Sequence, residues 1–386
     1  MWQALLLVVV TSGVCRAGES ATTCKQFSRW GGETLQMIRR ELWMEGDKLY
    51  ADRADVGKGP LHPAFMWGAG VQLSALAMAA RVDESRYLPQ LTDCADALDV
   101  YWIEHNGVGG YDVLPRQPNS DRYYDDNAWI VLAMLETHAL TNDARYLDRA
   151  QATMKFVLSG EDDRLGGGIY WRENTRDSKN TCSNAPAIVG CLLLYRATKD
   201  GEYLANAERL FAWSQTHLQD RDDGLYWDNL RLDGRIDRRK FTYNTALAIR
   251  ANCLLYEATN NADYLNEAKR LATAAAARWI DKETGAVKDA GRFAHMLLEA
   301  LLAVDRTTGE PHWREVVDKS VTYVHAHLRD GRGHYGGRWD RPPAEPWPRS
   351  ELLDQASAAR AFFAAASTDA NSNAEESSRP PHRNPK

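Results

Sequence analysis

The chain has 386 residues, of which 44% are hydrophobic and 26% are charged. This composition is typical of a folded globular protein rather than a disordered or fibrous one. The formal net charge is -6 and the isoelectric point is near 6.0. Because nucleic-acid-binding proteins usually carry a concentrated basic face, this balance argues against a nucleic-acid partner. The length is compatible with two average domains or with one large closed fold.

The two ends of the chain differ from the rest. Residues 1–10 form an apolar run too short to span a bilayer, and small residues follow up to Gly18. This pattern predicts a signal peptide over 1–18 and a secreted, periplasmic or cell-surface protein with no integral membrane segment after leader removal. A short N-terminal core helix is the alternative. At the other end, 368–386 is rich in Ser, Asn, Glu and Pro, which predicts a disordered polar tail.

The cysteine pattern gives little evidence for a metal site. Without the leader, five cysteines remain, and none of them forms a Cys-x-x-Cys pair: Cys24, Cys94, Cys182, Cys191 and Cys253. Zinc binding is therefore not expected, and we predict neither a metal nor a cofactor. In an exported protein, Cys24 and Cys94 are the first candidates for a disulfide, although the sequence does not fix connectivity and buried free thiols are equally compatible.

A repeat of about 50 to 60 residues organises the chain. Five aromatic residues open successive helical patterns, at intervals of 59, 57, 61 and 49 residues: Tyr87, Tyr146, Tyr203, Tyr264 and Trp313. Within each unit, an amphipathic helix is followed by a glycine-aromatic loop and then by a more apolar helix. The loop aromatics could anchor the loop or stack on a ligand.

Counting these patterns gives six helical hairpins. The outer helices are predicted near 23–43, 85–105, 143–159, 202–219, 262–281 and 311–329. The inner helices are predicted near 64–81, 126–141, 183–199, 243–260, 291–306 and 351–367, and they are apolar around most of their circumference, as expected for buried helices. The sequence therefore predicts an all-α protein, an (α/α)6 barrel of inner and outer helix rings over 19–367. An open α-solenoid, which would have no central pocket, is the structural alternative.

Two adjacent carboxylates begin the second inner helix. Asp125 and Asp126 follow Tyr123 and Tyr124, and Trp129 lies one turn further along. Glycoside hydrolysis needs two carboxyl groups, one protonated to assist the leaving oxygen and one ionised. A cap for the helix N-terminus is the simpler explanation, but one aspartate is enough for a cap, and a second adds like-charge repulsion.

The repeat also predicts which residues share one rim of the barrel. Trp67, Asp126, Asn184 and Asn244 are separated by 59, 58 and 60 residues, so they are expected at equivalent helix N-termini around a common cavity. Trp67 would stack on a sugar, and the asparagines would bind hydroxyl groups. Asparagine capping explains Asn184 and Asn244 equally well. With the flanking aromatics, the predicted substrate-binding residues are Trp67, Tyr124, Trp129, Asn184, Tyr243 and Asn244.

These motifs resemble glycoside hydrolase family 76, the endo-α-1,6-mannanases. The segment from Tyr124 to Trp129 is similar to the catalytic segment of the family, and two further matches begin at Lys179 and Phe241. The resemblance implies an (α/α)6 barrel and retaining hydrolysis of α-1,6-mannosidic bonds, with Asp125 similar to the nucleophile and Asp126 similar to the acid/base. The adjacent placement of the carboxyls is compatible with a separation of ~5 Å, which favours retention.

Three alternatives stay open at this stage. A mannan transglycosylase of the same family would use the same aspartates, because only the acceptor differs. A sugar 2-epimerase on this architecture would use histidines, for which His295 is the candidate, although a single helical histidine is more often a packed core residue. A non-catalytic glycan-binding protein would use the aromatics alone. In each case the expected partner is a mannan-like polysaccharide or oligosaccharide, and the protein is predicted to be a monomer.

Overall fold

The computed structural model describes residues 17–55, 60–116, 121–342 and 349–367. The predicted polar tail and all but the last two residues of the predicted signal peptide lie outside these residues. Six outer helices are present: α1 (Ala17–Leu42), α3 (Glu84–Ala97), α5 (Ala144–Leu158), α7 (Gly201–Leu218), α9 (Ala262–Trp279) and α11 (Arg314–His327). They alternate with six inner helices: α2 (Met66–Val82), α4 (Tyr124–Thr141), α6 (Thr181–Thr198), α8 (Thr242–Thr259), α10 (Gly291–Thr308) and α12 (Leu352–Ala366).

The apolar patterning decides which helices form the inner ring. Helix α6 buries an unbroken run from Thr181 to Leu192, whereas α7 buries a single stripe that includes Leu210 and Phe211. A helix apolar all round must pack on both sides, and an amphipathic helix can cover it from outside. The predicted (α/α)6 barrel of inner and outer rings is confirmed. Within the described residues, no helix combines the length and apolarity needed to cross a bilayer.

The ring is closed by contacts between its first and last repeats. Helix α12 packs against α1, α2 and α10. Above these helices, β3 (Arg53–Asp55) pairs antiparallel with β9 (Arg349–Glu351), with Ala54 opposite Ser350. This closure distinguishes the barrel from the open solenoid, and it encloses a central space at one end of the inner helices.

Short strands lie in the loops at that same end. They are β1 (Trp43–Met44), β2 (Leu49–Tyr50), β4 (Trp102–His105), β5 (Val108–Tyr111), β6 (Ser178–Asn180), β7 (Asn229–Arg231) and β8 (Ile236–Asp237). Strands β1 and β2 pair, β4 pairs with β5, and β6, β7 and β8 form a three-stranded sheet. All these pairings are antiparallel.

The fourth residue of several inner helices holds the loop that precedes that helix. Asn127 of α4 accepts a hydrogen bond from the backbone N–H of Tyr111 at 2.7 Å and donates to its carbonyl at 2.9 Å. Asn184 of α6 makes the same pair of bonds to Ile169, at 2.8 and 3.0 Å. Gln355 of α12 does so to Tyr335, at 2.8 and 2.9 Å. Each buried bond satisfies a backbone group that would otherwise be costly, so these side chains fix the loops.

Two predictions made from the sequence are wrong in detail. The outer helix predicted over 85–105 ends at Ala97, because Trp102–His105 pairs with Val108–Tyr111 around a turn at Asn106 and Gly107, whose φ angles are 52° and 73°. The disulfide considered between Cys24 and Cys94 is not formed: both are buried free thiols. The Cys24 sulfur lies instead 3.5 Å from Nη2 of Arg314.

Candidate active site

A cavity of about 780 Å³ opens at the N-terminal ends of the inner helices. This volume is typical of small-ligand sites. The second residue of every inner helix lines it: Trp67, Asp125, Cys182, Tyr243, Arg292 and Leu353. Because six helix N-termini surround the cavity, their macrodipoles favour negative charge within it.

Asp125 is held by neutral donors. Its Oδ1 accepts the backbone N–H of Asp126 at 2.9 Å, and its Oδ2 accepts the indole N–H of Trp171 at 2.9 Å. Burial raises the pKa of Asp125 to about 6, while hydrogen bonds from Cys182, Trp171 and the Asp126 amide oppose the increase. Asp125 therefore ionises in the range where a neutral-pH enzyme would need a carboxylate.

Asp126 has a different electrostatic environment. Burial raises its pKa well above the ordinary value of 3.8, and the charge of Asp125 adds to the increase. Two close carboxylates cannot both ionise easily, so the second keeps its proton to higher pH. The pair therefore consists of one carboxylate and one carboxylic acid, the arrangement that divides nucleophile from acid in glycosidases. Neither aspartate is the cap of α4, since that position is Tyr123.

Aromatic side chains form one wall of the cavity. The ring of Phe293 stacks on Tyr243 at 4.5 Å and on Trp67 at 5.7 Å, and Phe241 adjoins it at 5.4 Å. Trp129 lines the cavity from α4, one turn below the aspartates. The structure thus brings five of the predicted site residues together: Trp67, Asp125, Asp126, Trp129 and Tyr243.

Charged residues complete the cavity walls, and acidic groups outnumber basic ones. Besides the catalytic candidates, the lining contains Asp52, Asp177, Asp228, Asp237 and Glu351, against Arg231, Arg239 and Arg292. The guanidinium of Arg292 lies 2.9 Å from Asp354 and 3.0 Å from Glu351. Carboxylates and guanidinium groups beside aromatic rings can bind hydroxyl groups while the rings stack on the apolar face of a sugar.

Three predicted substrate-binding residues do not line the cavity. Tyr124 is fully buried, stacks on Phe156 at 4.8 Å and accepts a hydrogen bond from Arg176 at 2.9 Å. Asn184 holds Ile169, as described above. Asn244 is fully buried beside Asp228, where burial raises the pKa of that carboxyl and a hydrogen bond from Asn244 opposes the increase. The predicted register was wrong by one residue for Asn184, since its structural equivalent is Asn127 and not Asp126.

The sequence reasoning missed Trp171, Cys182 and Asp228 as cavity residues. Trp171 and Asp228 end glycine-aromatic loops, and the first is 46 residues away from Asp125 in the sequence. Gly168 helps to shape the Trp171 loop, with a φ of 81° and a position where a Cβ atom would lie 2.7 Å from the Trp213 ring. Cys182 could have been found from the repeat, because it occupies the same helix position as Asp125.

A second group of charges lies deeper on the barrel axis. Arg360 of α12 bonds to both carboxylate oxygens of Glu136, at 2.8 and 3.0 Å, and of Glu299, at 2.7 and 2.8 Å. His295 packs beside them, only 2% exposed, with Nδ1 3.1 Å from the Gly291 carbonyl. Burial lowers the pKa of His295 to about 4. We call Glu136, His295, Glu299 and Arg360 the axial cluster. His295 is thus a packed core residue outside the cavity, which removes the basis of the epimerase alternative.

A closed double ring of six helical hairpins with two adjacent aspartates in its cavity is the architecture of the six-hairpin glycosidases. The comparisons with known proteins specify the family. The sequence matches glycosyl hydrolase family 76 over residues 48–376, and the chain belongs to that family.

Solved structures of family members have the same fold. A family 76 α-mannanase from Bacteroides thetaiotaomicron superposes with a TM-score of 0.85 at 29% identity, over 90% of this chain and 98% of that one. An inactive variant of the α-1,6-mannanase from Salegentibacter sp. HEL1_6, with two adjacent aspartates replaced by alanine, is similar at a TM-score of 0.76 and 25% identity, over 88% and 98% of the two chains. That variant was solved in complex with α-1,6-mannotetrose.

Yeast relatives are similar over shorter stretches. The mannan endo-1,6-α-mannosidase DCW1 of Saccharomyces cerevisiae is 26% identical over 174 residues, which are 41% of this chain and 38% of that protein. The meiotically up-regulated gene 191 protein of Schizosaccharomyces pombe is 28% identical over 210 residues, 50% of this chain and 47% of that protein. The matches thus span about half, or less, of these curated relatives.

Proposed function

We propose that this protein is a retaining glycosidase that cleaves α-1,6-mannosidic bonds, with Asp125 as the nucleophile and Asp126 as the general acid/base. The observation that carries the proposal is the unequal aspartate pair in the cavity, in which Asp125 ionises first and Asp126 keeps its proton. The bond specificity follows the names of the similar family members, one of which was solved with an α-1,6-linked mannan fragment.

In the first step, the Asp125 carboxylate attacks C1 of the mannose on the non-reducing side of the bond. Asp126 gives its proton to the departing O6 of the neighbouring sugar, so the glycosidic bond breaks as the ester bond forms. In the second step, Asp126, now ionised, takes a proton from water. The resulting hydroxide equivalent attacks C1, releases Asp125 and yields a product with the original α configuration.

The pH dependence follows from the same pair. Catalysis needs Asp125 ionised and Asp126 protonated. A plot of kcat/KM against pH should therefore be bell-shaped, with its acid limb near the Asp125 pKa of about 6. Because the two groups are coupled, the limbs report the pair as a unit. The predicted export signal agrees with action on an extracellular mannan.

The test is incubation of the purified protein with linear α-1,6-mannan, with product sizes followed by chromatography and anomeric configuration followed by NMR at early times. Asp125→Asn is the loss-of-function variant. Asp143→Asn is the matched control, because Asp143 caps α5 on the outer face and asparagine caps helices equally well.

The proposal expects early α-anomers from wild type and from Asp143→Asn, and none from Asp125→Asn. Early β-anomers would contradict retention. Products longer than the donor would identify the transglycosylase, in which a sugar hydroxyl replaces water as the acceptor. Binding of mannan without any product would favour the non-catalytic alternative.

A further inference from the structure

Each glycine-aromatic loop reaches back over the inner helix of the preceding repeat. The loop before α6 is held by Asn184, yet the carbonyl of Trp171 in this loop accepts the N–H of Tyr124, the first residue of α4, at 3.0 Å. The next loop repeats the pattern, because the carbonyl of Asp228 accepts the N–H of Thr181, the first residue of α6, at 2.9 Å. The residue at this loop position therefore lies over the N-terminus of a neighbouring helix.

This geometry brings Trp171 to Asp125. The indole N–H donates to Oδ2 at 2.9 Å, while Oδ1 is bound by the Asp126 amide at 2.9 Å. Trp171 is itself fixed, since its backbone N–H donates to the Ser178 carbonyl at 3.2 Å and its ring packs edge-on to Tyr123 at 5.2 Å. The Asp125 carboxylate is thus held at both oxygens by donors whose own positions are fixed.

We propose that Trp171 is a positioning residue that orients the Asp125 carboxylate and keeps it ionised through its indole N–H. The carboxyl torsion of an aspartate is broad and roughly two-fold, so the Asp126 amide and the weakly donating Cys182 thiol hold the plane only loosely. The indole donor on the other oxygen fixes that plane, and a hydrogen bond to the charged form stabilises it over the protonated form. The inference rests on the proposed function only where it treats Asp125 as the nucleophile.

Trp227, in the next glycine-aromatic loop, supplies a matched control. Its indole N–H donates to Oδ2 of Asp220 at 3.1 Å. The chemistry is the same, a tryptophan bonded to an aspartate, but this pair lies outside the residues that line the cavity. Comparing Trp171→Phe with Trp227→Phe therefore separates loss of the bond to Asp125 from loss of any indole bond in such a loop.

The first experiment measures kcat/KM against pH for the two variants with a mannan oligosaccharide. Trp171→Phe keeps an aromatic ring and removes the donor, so kcat/KM should fall roughly 10- to 100-fold, the range expected for a hydrogen bond to a charged group. The acid limb should also move to higher pH, because the ionised form of Asp125 loses a stabilising hydrogen bond and the pKa of Asp125 rises. Trp227→Phe should show neither change. An unshifted acid limb in folded Trp171→Phe would overturn the inference, whatever its rate.

A second experiment does not depend on activity or on the folding of Trp171→Phe. In wild-type protein labelled with 15N at its indoles, one indole N–H resonance should titrate with a midpoint near that of Asp125. The titration should vanish in Asp125→Asn. If no indole resonance titrates in this way, Trp171 does not sense the Asp125 charge and the inference is wrong. Failure of the mannanase assay would leave this result intact, so the two proposals fail independently.

Discussion

Two pairs of buried carboxylates lie on the inner ring of this barrel, and their pKa values shift in opposite directions. At the cavity, Asp125 and Asp126 are approached by an amide, an indole and a thiol, all without formal charge, and their pKa values rise. In the axial cluster, Glu136 and Glu299 share Arg360, which lowers both pKa values despite burial, that of Glu136 to about 2. A neighbouring cation therefore decides whether a buried carboxylate is a stable ion or a proton donor.

The comparison assigns the two pairs different tasks. A carboxylate fully paired with arginine has little tendency to exchange a proton or attack carbon, but it connects helices: Arg360 also donates to the Ser74 carbonyl at 2.6 Å, so it joins α2, α4, α10 and α12. In the proposed mechanism the aspartate pair reacts because its charge is poorly compensated, and that lack of compensation should cost stability. Four experiments test this division.

The largest effect is expected at the cavity pair. Asp125→Ala and Asp126→Ala should each lower kcat on α-1,6-mannan by at least ~10³-fold, because each removes an essential covalent or proton-transfer step. Thermal unfolding should show that both variants remain folded, with midpoints no lower than that of wild type. A lost or much lowered unfolding transition would mean that the aspartates maintain the fold instead.

The axial cluster should behave in the reverse way. Arg360→Met leaves two buried carboxylates without the guanidinium to which both are hydrogen-bonded, although Arg250 remains nearby, and should lower the free energy of unfolding by about 3–5 kcal/mol, measured by chemical denaturation. Arg145→Met, which removes an exposed partner of Asp143, is the control and should leave the midpoint unchanged.

Neutralising the two glutamates tests whether their uncompensated charge causes the loss of stability in Arg360→Met. Replacing both Glu136 and Glu299 by Gln in the Arg360→Met background should recover part of the lost stability, because the uncompensated charge is gone. If Arg360→Met alone is as stable as wild type, the axial cluster does not hold the ring together.

The pH dependence of stability should have opposite signs for the two pairs. The pKa of Asp126 is raised on folding, so between pH ~4 and its folded pKa the native state binds more protons than the unfolded chain, and stability falls as pH rises. Asp126→Asn removes this loss of stability, so at pH 8 it should be more stable than wild type. The difference should disappear below pH ~4.

Glu136 provides the opposite case. Its folded pKa is lowered to about 2, so it stabilises the protein above its unfolded pKa of about 4.5 and loses that contribution as pH falls toward 2. Glu136→Gln should therefore be less stable than wild type at neutral pH and converge with it in acid. Parallel melting curves for the two variants across pH would contradict the contrast between the pairs.

The smallest effect concerns the thiol beside Asp125. Cys182 is 5% exposed and its hydrogen bond opposes the rise of the Asp125 pKa. A thiol is a weaker donor than an indole N–H, so Cys182→Ala should move the acid limb of kcat/KM upward by less than Trp171→Phe does. Cys182→Ser, which keeps a donor, should move it less. A shift equal to that of Trp171→Phe would show that the thiol contributes as much as the indole.

The helices and the position of the aspartate pair in the cavity could be predicted from the sequence because their signals are local. Apolar faces repeat within each helix, and Asp125 and Asp126 are adjacent. The outer helix predicted over 85–105 was too long because the Asn106-Gly107 turn, a strong hairpin signal, was not recognised there. The rim register was wrong because loop lengths differ between repeats, so equal spacing along the chain does not give equal positions in the ring.

The rest of the site depends on contacts between repeats. Trp171 reaches Asp125 because its loop lies over the preceding helix, a crossing that no spacing within one hairpin reveals. Asn184 and Tyr124 look like site residues in the sequence, since each is polar or aromatic near a helix start. In the structure, one binds a loop backbone and the other packs on Phe156, because a helix N-terminus presents only part of its circumference to the cavity.

The position of Arg360 near the end of the chain also limits when the ring can close during synthesis. It follows Glu136 by 224 residues and Ser74 by 286 in the chain. At 5–20 residues per second, a ribosome needs roughly 10–45 s to travel from Glu136 to Arg360. During that interval Glu136 lacks the guanidinium to which it is hydrogen-bonded in the folded ring, and α2 has no α12 to cover it. The ring therefore cannot close until the last helix emerges, because α12 supplies the contacts with α1, α2 and α10.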